Sequence, residues 1–590
     1  QAGSFTTQGS PGSILISTNT INSTPEFMKM INQSIASADV SILTSGAFNF
    51  DRASVIEKTT SFNTLLTINA KDTITLAGRI NSDIFAPLSL SIVSEKDINF
   101  TDTSETRAAY LETNSPIIKA SGNIWTYGGS GSNKPFIQLT ASRLAISRIL
   151  SASSKALAGG ISLHGVHSVD ISPEAIITAN GNDGGLIDIS AQDGQVRIKG
   201  LLKANGSSGK GGTIQVDNTA IIELVGARLE ANGADGGSVL LMSNKDAVVN
   251  SSIVQTNGSN GRGGTVSISA LGQVILKNTA VQSIGFNQGG TVLIGNDIKN
   301  NTIPLAQFTY LDALSSIQAF AISNHPGGFV ETSGQIISIL ATINSGRGGT
   351  WLIDPYDLII NSAIAANINS ALQSGQNVTL TTASETNTIN SDPVTTTTGT
   401  SGTGNITLNA AILSSGEGDL SLIADNNIYI NAAITLSGTD SGAALSGSTI
   451  YLGANITTTG NQLFTGDVVL NASPVLDSGN ANVTITGNIS ATSGILAFLG
   501  NGNYLFNGSQ YLAGASADAS QPIGVIYNNA TKVYSWLATS SVAEALIVAG
   551  GGGGGKDMGG GGGGGGGGGR AAAASCGGSY PVADGAGGLG

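Results

Sequence analysis

One stretch near the end of this chain has the spacing of a phosphate loop. Gly550 to Asp557 reads G-x-x-x-x-G-K-D, after an apolar run from Ala545 to Ala549. The phosphate-binding pattern requires Ser or Thr after its lysine to hold Mg²⁺, whereas Asp557 follows Lys556 and would set a negative charge beside the phosphates. It also requires a helix next, whose N-terminal N–H groups bind the anion, and the glycines of 559–569 cannot supply one. The glycines before Lys556 satisfy any glycine motif by composition alone. No nucleotide site is expected.

Other residue types with chemical potential are sparse. His164 and His167 form the only histidine cluster, with His325 far away. In a strand, positions i and i+3 face opposite sides, so this pair would not chelate one metal without a corner between them. Asp354 and Asp357 flank Pro355 and are close enough in sequence to approach each other, but they fit a structural turn better than a lyase-type carboxylate cluster. Asp183 and Asp235 precede Gly-Gly pairs, where acids accept turn hydrogen bonds. Neither set has the G-G-x-G-x-D periodicity of calcium-binding repeats. Trp351 and Tyr356 are candidate sugar-stacking platforms, although large aromatics in so aromatic-poor a chain favour burial at a junction. A single cysteine, Cys576, excludes a disulfide framework and a Cys-based zinc site. A Ser-His-Asp site is neither indicated nor excluded. No catalytic, cofactor-binding or metal residue is assigned, and no cofactor is expected.

The elements that would carry these residues follow from composition. Only 11% of the 590 residues are charged and 5% aromatic, while 40% are apolar and 83 are glycine. Disordered chains are richer in charge and poorer in Ile, Val and Leu, and the abundance of Ser, Thr and Asn suits short strands and turns. The class is all-β. A net charge of −13, with no basic cluster along the sequence, argues against nucleic acid as a partner. No run of about 18 apolar residues is present, so no bilayer-spanning helix is expected. Gln1 is preceded by neither Met nor a signal peptide, so a processed product or a fragment of a longer precursor is expected.

Internal repetition organises the chain. Gly-Gly pairs begin at 159, 184, 211, 236, 263 and 289, at spacings of 25, 27, 25, 27 and 26. Each opens a short alternating strand, such as LIDIS or TIQVD. Asn-Gly stands before the next pair at Asn180, Asn205, Asn232 and Asn257, where the left-handed conformation of a sharp corner is expected. A second repeat, spaced near 24, aligns Leu66–Ile74 with Leu90–Ile98 and returns at Leu420–Ile428. Units this short cannot bury an apolar face alone, but stacked coils can, each pairing with the next at about 4.8 Å. The reading is a right-handed parallel β-helix; about twenty coils would make a rod on the order of 100 Å long. A string of β-sandwiches would instead require hairpin turns every 8–12 residues or so.

Two helices interrupt the strands. Thr24-Pro25-Glu26 supplies an N-cap, a first-turn proline and a dipole-matched acid before Phe27, Ile31 and Ile35. Residues 362–375 carry Ile364, Ile368 and Leu372 at the same spacing and end at a glycine. The expected organisation is two tandem modules, 1–350 with a helix near 25–38 and 351–500 with a helix near 363–374. A small β domain at 501–549 and a glycine-rich tail at 550–590 follow. Ordering so many glycines requires pairing with neighbouring strands, so the tail reads either as a flexible linker or as an assembly element.

Gly327-Gly328-Phe-Val-Glu-Thr-Ser-Gly334, followed by Gly348-Gly349-Thr-Trp351-Leu-Ile-Asp354-Pro355-Tyr356-Asp357-Leu, resembles filamentous haemagglutinin-type exoproteins. The Gln376-Asn377-Val-Thr-Leu strand and the Asn409-Ala-Ala-Ile and Asn431-Ala-Ala-Ile units keep that family's order. The resemblance covers about 150–500 well and 1–150 more loosely. It implies a right-handed β-helical shaft, secretion through an outer-membrane partner, and roles in adhesion, aggregation or biofilm. No Asn-Pro-Asn-Gly-type secretion motif is found, so that route belongs to a longer precursor, and the tail differs from the usual family ending. The expected function is an extracellular, adhesive or structural protein of a bacterial surface, without catalysis. Its expected partners are copies of itself and, at the cell surface, glycans. Two alternatives stay open: a self-assembling filament subunit held by the polyglycine tail, and a β-helix enzyme acting on polysaccharide.

Overall fold

The computed structural model describes residues 4–7, 13–127, 135–155, 159–295, 305–322, 325–382, 386–389, 392–395, 403–492, 496–499 and 502–506. Beyond these it describes only the short strands 509–513, 526–528, 533–535, 542–547, 570–575 and 582–583. The chain is nearly all β, with 5% helix, and its parallel sheets form a β-solenoid of about 17 turns. The expected fold class is therefore present. Two compact units divide it, residues 1–352 with 387–395, and 353–386 with 396–590.

In the first unit each coil has three faces. The third face is a sheet of twelve described strands, paired in strict sequence order from Val55–Glu57 to Thr342–Asn344. The other two faces belong to one larger sheet, because strands such as Tyr110–Ala120, Gly160–Ile171, Thr213–Val225 and Ser238–Asn250 run round the corner from one face to the next. Alternation decides which side chains point in. On the first face Leu111, Ile137, Ile161, Ile187, Ile214, Val239, Val266, Val292 and Val330 fall opposite one another on successive coils. All nine are fully buried. At about 1.5–3 kcal/mol for each buried Val, Leu or Ile, such columns supply the main stabilisation of a stack whose single coils could not fold.

The glycine and asparagine repeats act differently from their sequence expectation. Among the described residues only Ser251, Asn278 and Asp440 adopt positive φ without being glycine, so Asn180, Asn205, Asn232 and Asn257 are not left-handed corners. They form a ladder instead: Oδ1 of Asn180, Asn205, Asn232 and Asn257 accepts from the backbone N–H one coil on, at Asn205, Asn232, Asn257 and Ile284, at 2.7–2.9 Å. Asn is needed there as an acceptor, not for its backbone freedom. The Gly-Gly pairs are needed for space. A Cβ on Gly212 would lie 2.1 Å from the Gly185 carbonyl oxygen, and one on Gly237 would lie 2.1 Å from that of Gly212.

The helix α1, Pro25–Ile35, is capped by Thr24, whose Oγ1 accepts from Phe27 N–H, and buries Met28, Ile31 and Ile35. Its Asn32 bonds the open edge of the third face: Oδ1 accepts from Glu57 N–H at 2.9 Å and Nδ2 donates to Val55 O at 3.1 Å. An unpaired sheet edge is thus closed by a side chain.

The second unit repeats this plan. Its helix α2, Ser362–Gln373, is capped by Asn361 and followed by Gly375 at φ +78°. Its third face runs Ile412–Ser414, Ile434–Leu436, Ile456–Thr458, Val475–Asp477 and Ala497–Leu499. Leu380, Leu422, Leu445, Phe464 and Ile485 stack in one core column. Buried Gln462 interrupts another, and its Nε2 donates to the carbonyls of Ile456 and Asp477. From Asn503–Phe506 onward the described strands pair antiparallel. The expected small domain at 501–549 lies largely outside the described residues. The polyglycine run, Lys556 and Cys576 lie wholly outside them.

Candidate functional site

Coil stacking brings together residues that the sequence keeps apart. His164 projects from the first face, and the next coil places Ser190 beside it. His164 Nδ1 lies 2.8 Å from Ser190 Oγ, and its Nε2 lies 3.9 Å from Asp188 Oδ2. Half-burial pushes the Asp188 carboxyl above its usual pKa, with His164 opposing and Asp217 reinforcing the shift. An imidazole between a hydroxyl and a carboxylate is the arrangement that activates a serine nucleophile. Acyl transfer also requires N–H donors aimed at a developing oxyanion, and here the surrounding main chain is held in parallel ladders on both sides. The cluster links the surfaces of two adjacent coils. The register that forms it was readable in principle, since Ser190 lies one 26-residue coil beyond His164. His167, by contrast, stands exposed at the corner between two faces, where the strand register shifts. Among the described residues no group of three or more His, Cys, Asp or Glu is placed to hold a metal.

The carboxylates singled out by sequence are dispersed. Asp183 and Asp235 do not bond their own turns; their Oδ1 atoms accept from Lys210 N–H and Arg262 N–H, one coil on, at 2.9 Å. Asp357 organises the loop at 403–405, accepting from Thr403 N–H, Thr403 Oγ1 at 2.7 Å and Asn405 N–H at 3.0 Å. Partial burial works to raise its pKa, but these bonds outweigh it and hold the group below the usual value. Asp354 is different. It is fully buried, neither carboxyl oxygen has a hydrogen-bond partner, and burial drives its pKa well above normal. The two aspartates therefore occupy opposite environments rather than a shared site.

Trp351 is buried in the core of the first unit, and its Nε1–H donates to Thr332 Oγ1 at 3.0 Å. It offers no face to a sugar. Tyr356 is half-buried.

Cations do converge, although none cluster along the sequence. On the second face Lys119, Ala145, Asp170, Arg197 and Glu223 occupy one outward column on successive coils. Lys199 turns in beside them at the next corner, and a groove of about 350 Å³ opens over Ala145. Arg197 is held by Glu223 at 2.8 Å and lies 3.9 Å from Asp170. The spacings of 26, 25 and 27 from Lys119 to Arg197 are coil lengths, the one signal that would have aligned them.

No family model and no curated protein matches this chain. Its structure is similar to the HMW1 secretion domain from Haemophilus influenzae, with 15% identity over 64% of this chain and 95% of that one and a TM-score of 0.30. A likeness at that level is no argument for function.

Proposed function

We propose that this chain is the shaft of an extracellular bacterial surface protein of the filamentous haemagglutinin kind, acting through length and an adhesive exterior rather than catalysis. One observation carries the reading. The inward column runs without a break in residue type from Leu111 to Val330, so these nine coils are maintained for stacking. The chemistry of 327–358 and the low charge support it further. In this reading the modules are 1–350 and 351–500, copies of the chain associate through the tail at 550–590, and an outer-membrane partner exports the protein. No helix among the described residues is long and apolar enough to cross a membrane.

Electron microscopy of the purified chain tests this. Elongated particles with about 4.8 Å of length per coil are expected, and adhesion of coated beads to cells should require them. Compact globular particles would overturn the reading. The cluster at His164 favours a second, hydrolytic reading; turnover of a chromogenic ester that Ser190→Ala abolishes would establish it.

A further inference from the structure

We propose that the groove over Ala145 binds an extended acidic saccharide, its carboxylates or sulfates held by Lys119 at one end and by Arg197 and Lys199 at the other. The proposal uses the adhesive reading only for where such saccharides are met. Its basis is the groove itself.

Shape comes first. In the column Lys119, Ala145, Asp170, Arg197 the one small side chain is Ala145, so the long neighbours stand as walls around a methyl floor. Lys119 and Arg197 are rooted three coils apart, about 14 Å at some 4.8 Å per coil, which selects a ligand lying along the solenoid axis. The volume of about 350 Å³ is at the small end for ligand sites and suits a few sugar rings rather than a folded partner.

Charge comes second. Lys119, Arg197 and Lys199 oppose a single lining carboxylate, Asp170, in a protein whose net charge is −13. Among the described residues neither Lys119 nor Lys199 is in an ion pair. Arg197 is fixed by Glu223, which leaves its orientation set before a ligand arrives. An anion between these groups gains charge-assisted hydrogen bonds, while the acidic residues more than about a Debye length of 8–10 Å away are largely screened.

Hydroxyl chemistry comes third. Ser121 and Ser147 form a ladder along one edge, with their oxygens 3.2 Å apart. Ser172 lines the same edge, and its hydroxyl is buried with no partner. The groove has no aromatic ring on which a nucleic-acid base could stack, which separates it from single-strand nucleic-acid sites.

Titration calorimetry of the full chain with oligogalacturonate, a sulfated heparin-derived oligosaccharide and a neutral oligosaccharide of matched length tests this. Saturable binding of one or both acidic ligands, and none of the neutral one, is expected. Lys119→Glu/Lys199→Glu should weaken it at least about tenfold, the scale of one or two lost charge-assisted bonds. Ala145→Trp fills the floor without changing charge and should abolish it, while Lys277→Glu, outside the groove, should leave it intact. Circular dichroism melts confirm that each variant folds. The carboxylated and sulfated arms distinguish the two sources of anion. No acidic ligand binding at millimolar concentration, or equal binding by the groove variants, overturns the proposal. Cell adhesion by the same variants is scored separately, so loss of the groove leaves the shaft reading to its own test.

Discussion

Asn32 and Asn369, 337 residues apart, make the same pair of hydrogen bonds to equivalent strands of the two units. Asn32 closes the strand Val55–Glu57; Asn369 accepts from Leu413 N–H at 2.9 Å and donates to Ala411 O at 3.5 Å beside the strand Ile412–Ser414. In each unit a helical amide side chain takes the place of a missing rung. Asn32→Leu should therefore lose about 0.5–1.5 kcal/mol, the net worth of an ordinary hydrogen bond, because water reaches the freed edge. Amide exchange at Glu57 and Leu413 reads each bond locally. Exchange at Glu57 should accelerate in Asn32→Leu and stay unchanged in Asn369→Leu.

The glycine stack separates space from backbone freedom. Gly212→Ala would force a methyl to 2.1 Å from the Gly185 carbonyl oxygen and should destabilise by more than about 3 kcal/mol, through overpacking against rigid backbone. Gly226 has φ +65° with nothing within 4 Å of the place a methyl would take, so Gly226→Ala should cost only about 1–2 kcal/mol of left-handed strain. Denaturant midpoints of the two variants give the order. Equal losses would contradict the steric account.

Thr332 matters as the acceptor for the Trp351 indole. Thr332→Val keeps the shape but strands a buried N–H donor, which predicts a loss of about 1–3 kcal/mol. Thr332→Ser, which retains the oxygen, should recover most of it. Thermal melts of the two variants decide the matter.

Asp354 predicts a pH dependence. Burial raises its folded-state pKa well above the unfolded value, so the folded chain holds a proton that the unfolded chain releases. The stability this group contributes is complete below the unfolded pKa of about 3.9 and is lost as pH rises toward the folded pKa, by up to about 1.4 kcal/mol per pH unit. Asp354→Asn removes that dependence. Its stability gain over the parent should therefore be larger at pH 8 than at pH 5, measured by paired denaturation curves. A gain that shrinks with rising pH would refute the assignment.

The sequence by itself determined the class and the stacking. Alternation of period two sets which side chains of LIDIS or TIQVD point inward, and repeats near 24–27 residues carry that alternation from coil to coil. Thr24 also announced its helix, because capping is local chemistry. What only the tertiary structure decided is who stands beside whom outside the core. Neighbours on adjacent coils are 25 to 27 residues apart between the Gly-Gly pairs of 159–289 but 18 apart at Thr449 and Asp467 and 48 apart at Leu358 and Ile406, so the outward register is fixed only when the inward columns lock. For that reason the Asn-Gly sites turned out to be a ladder of acceptors, His164 met Ser190 rather than His167, and cations that never cluster in sequence came to face one another across Ala145.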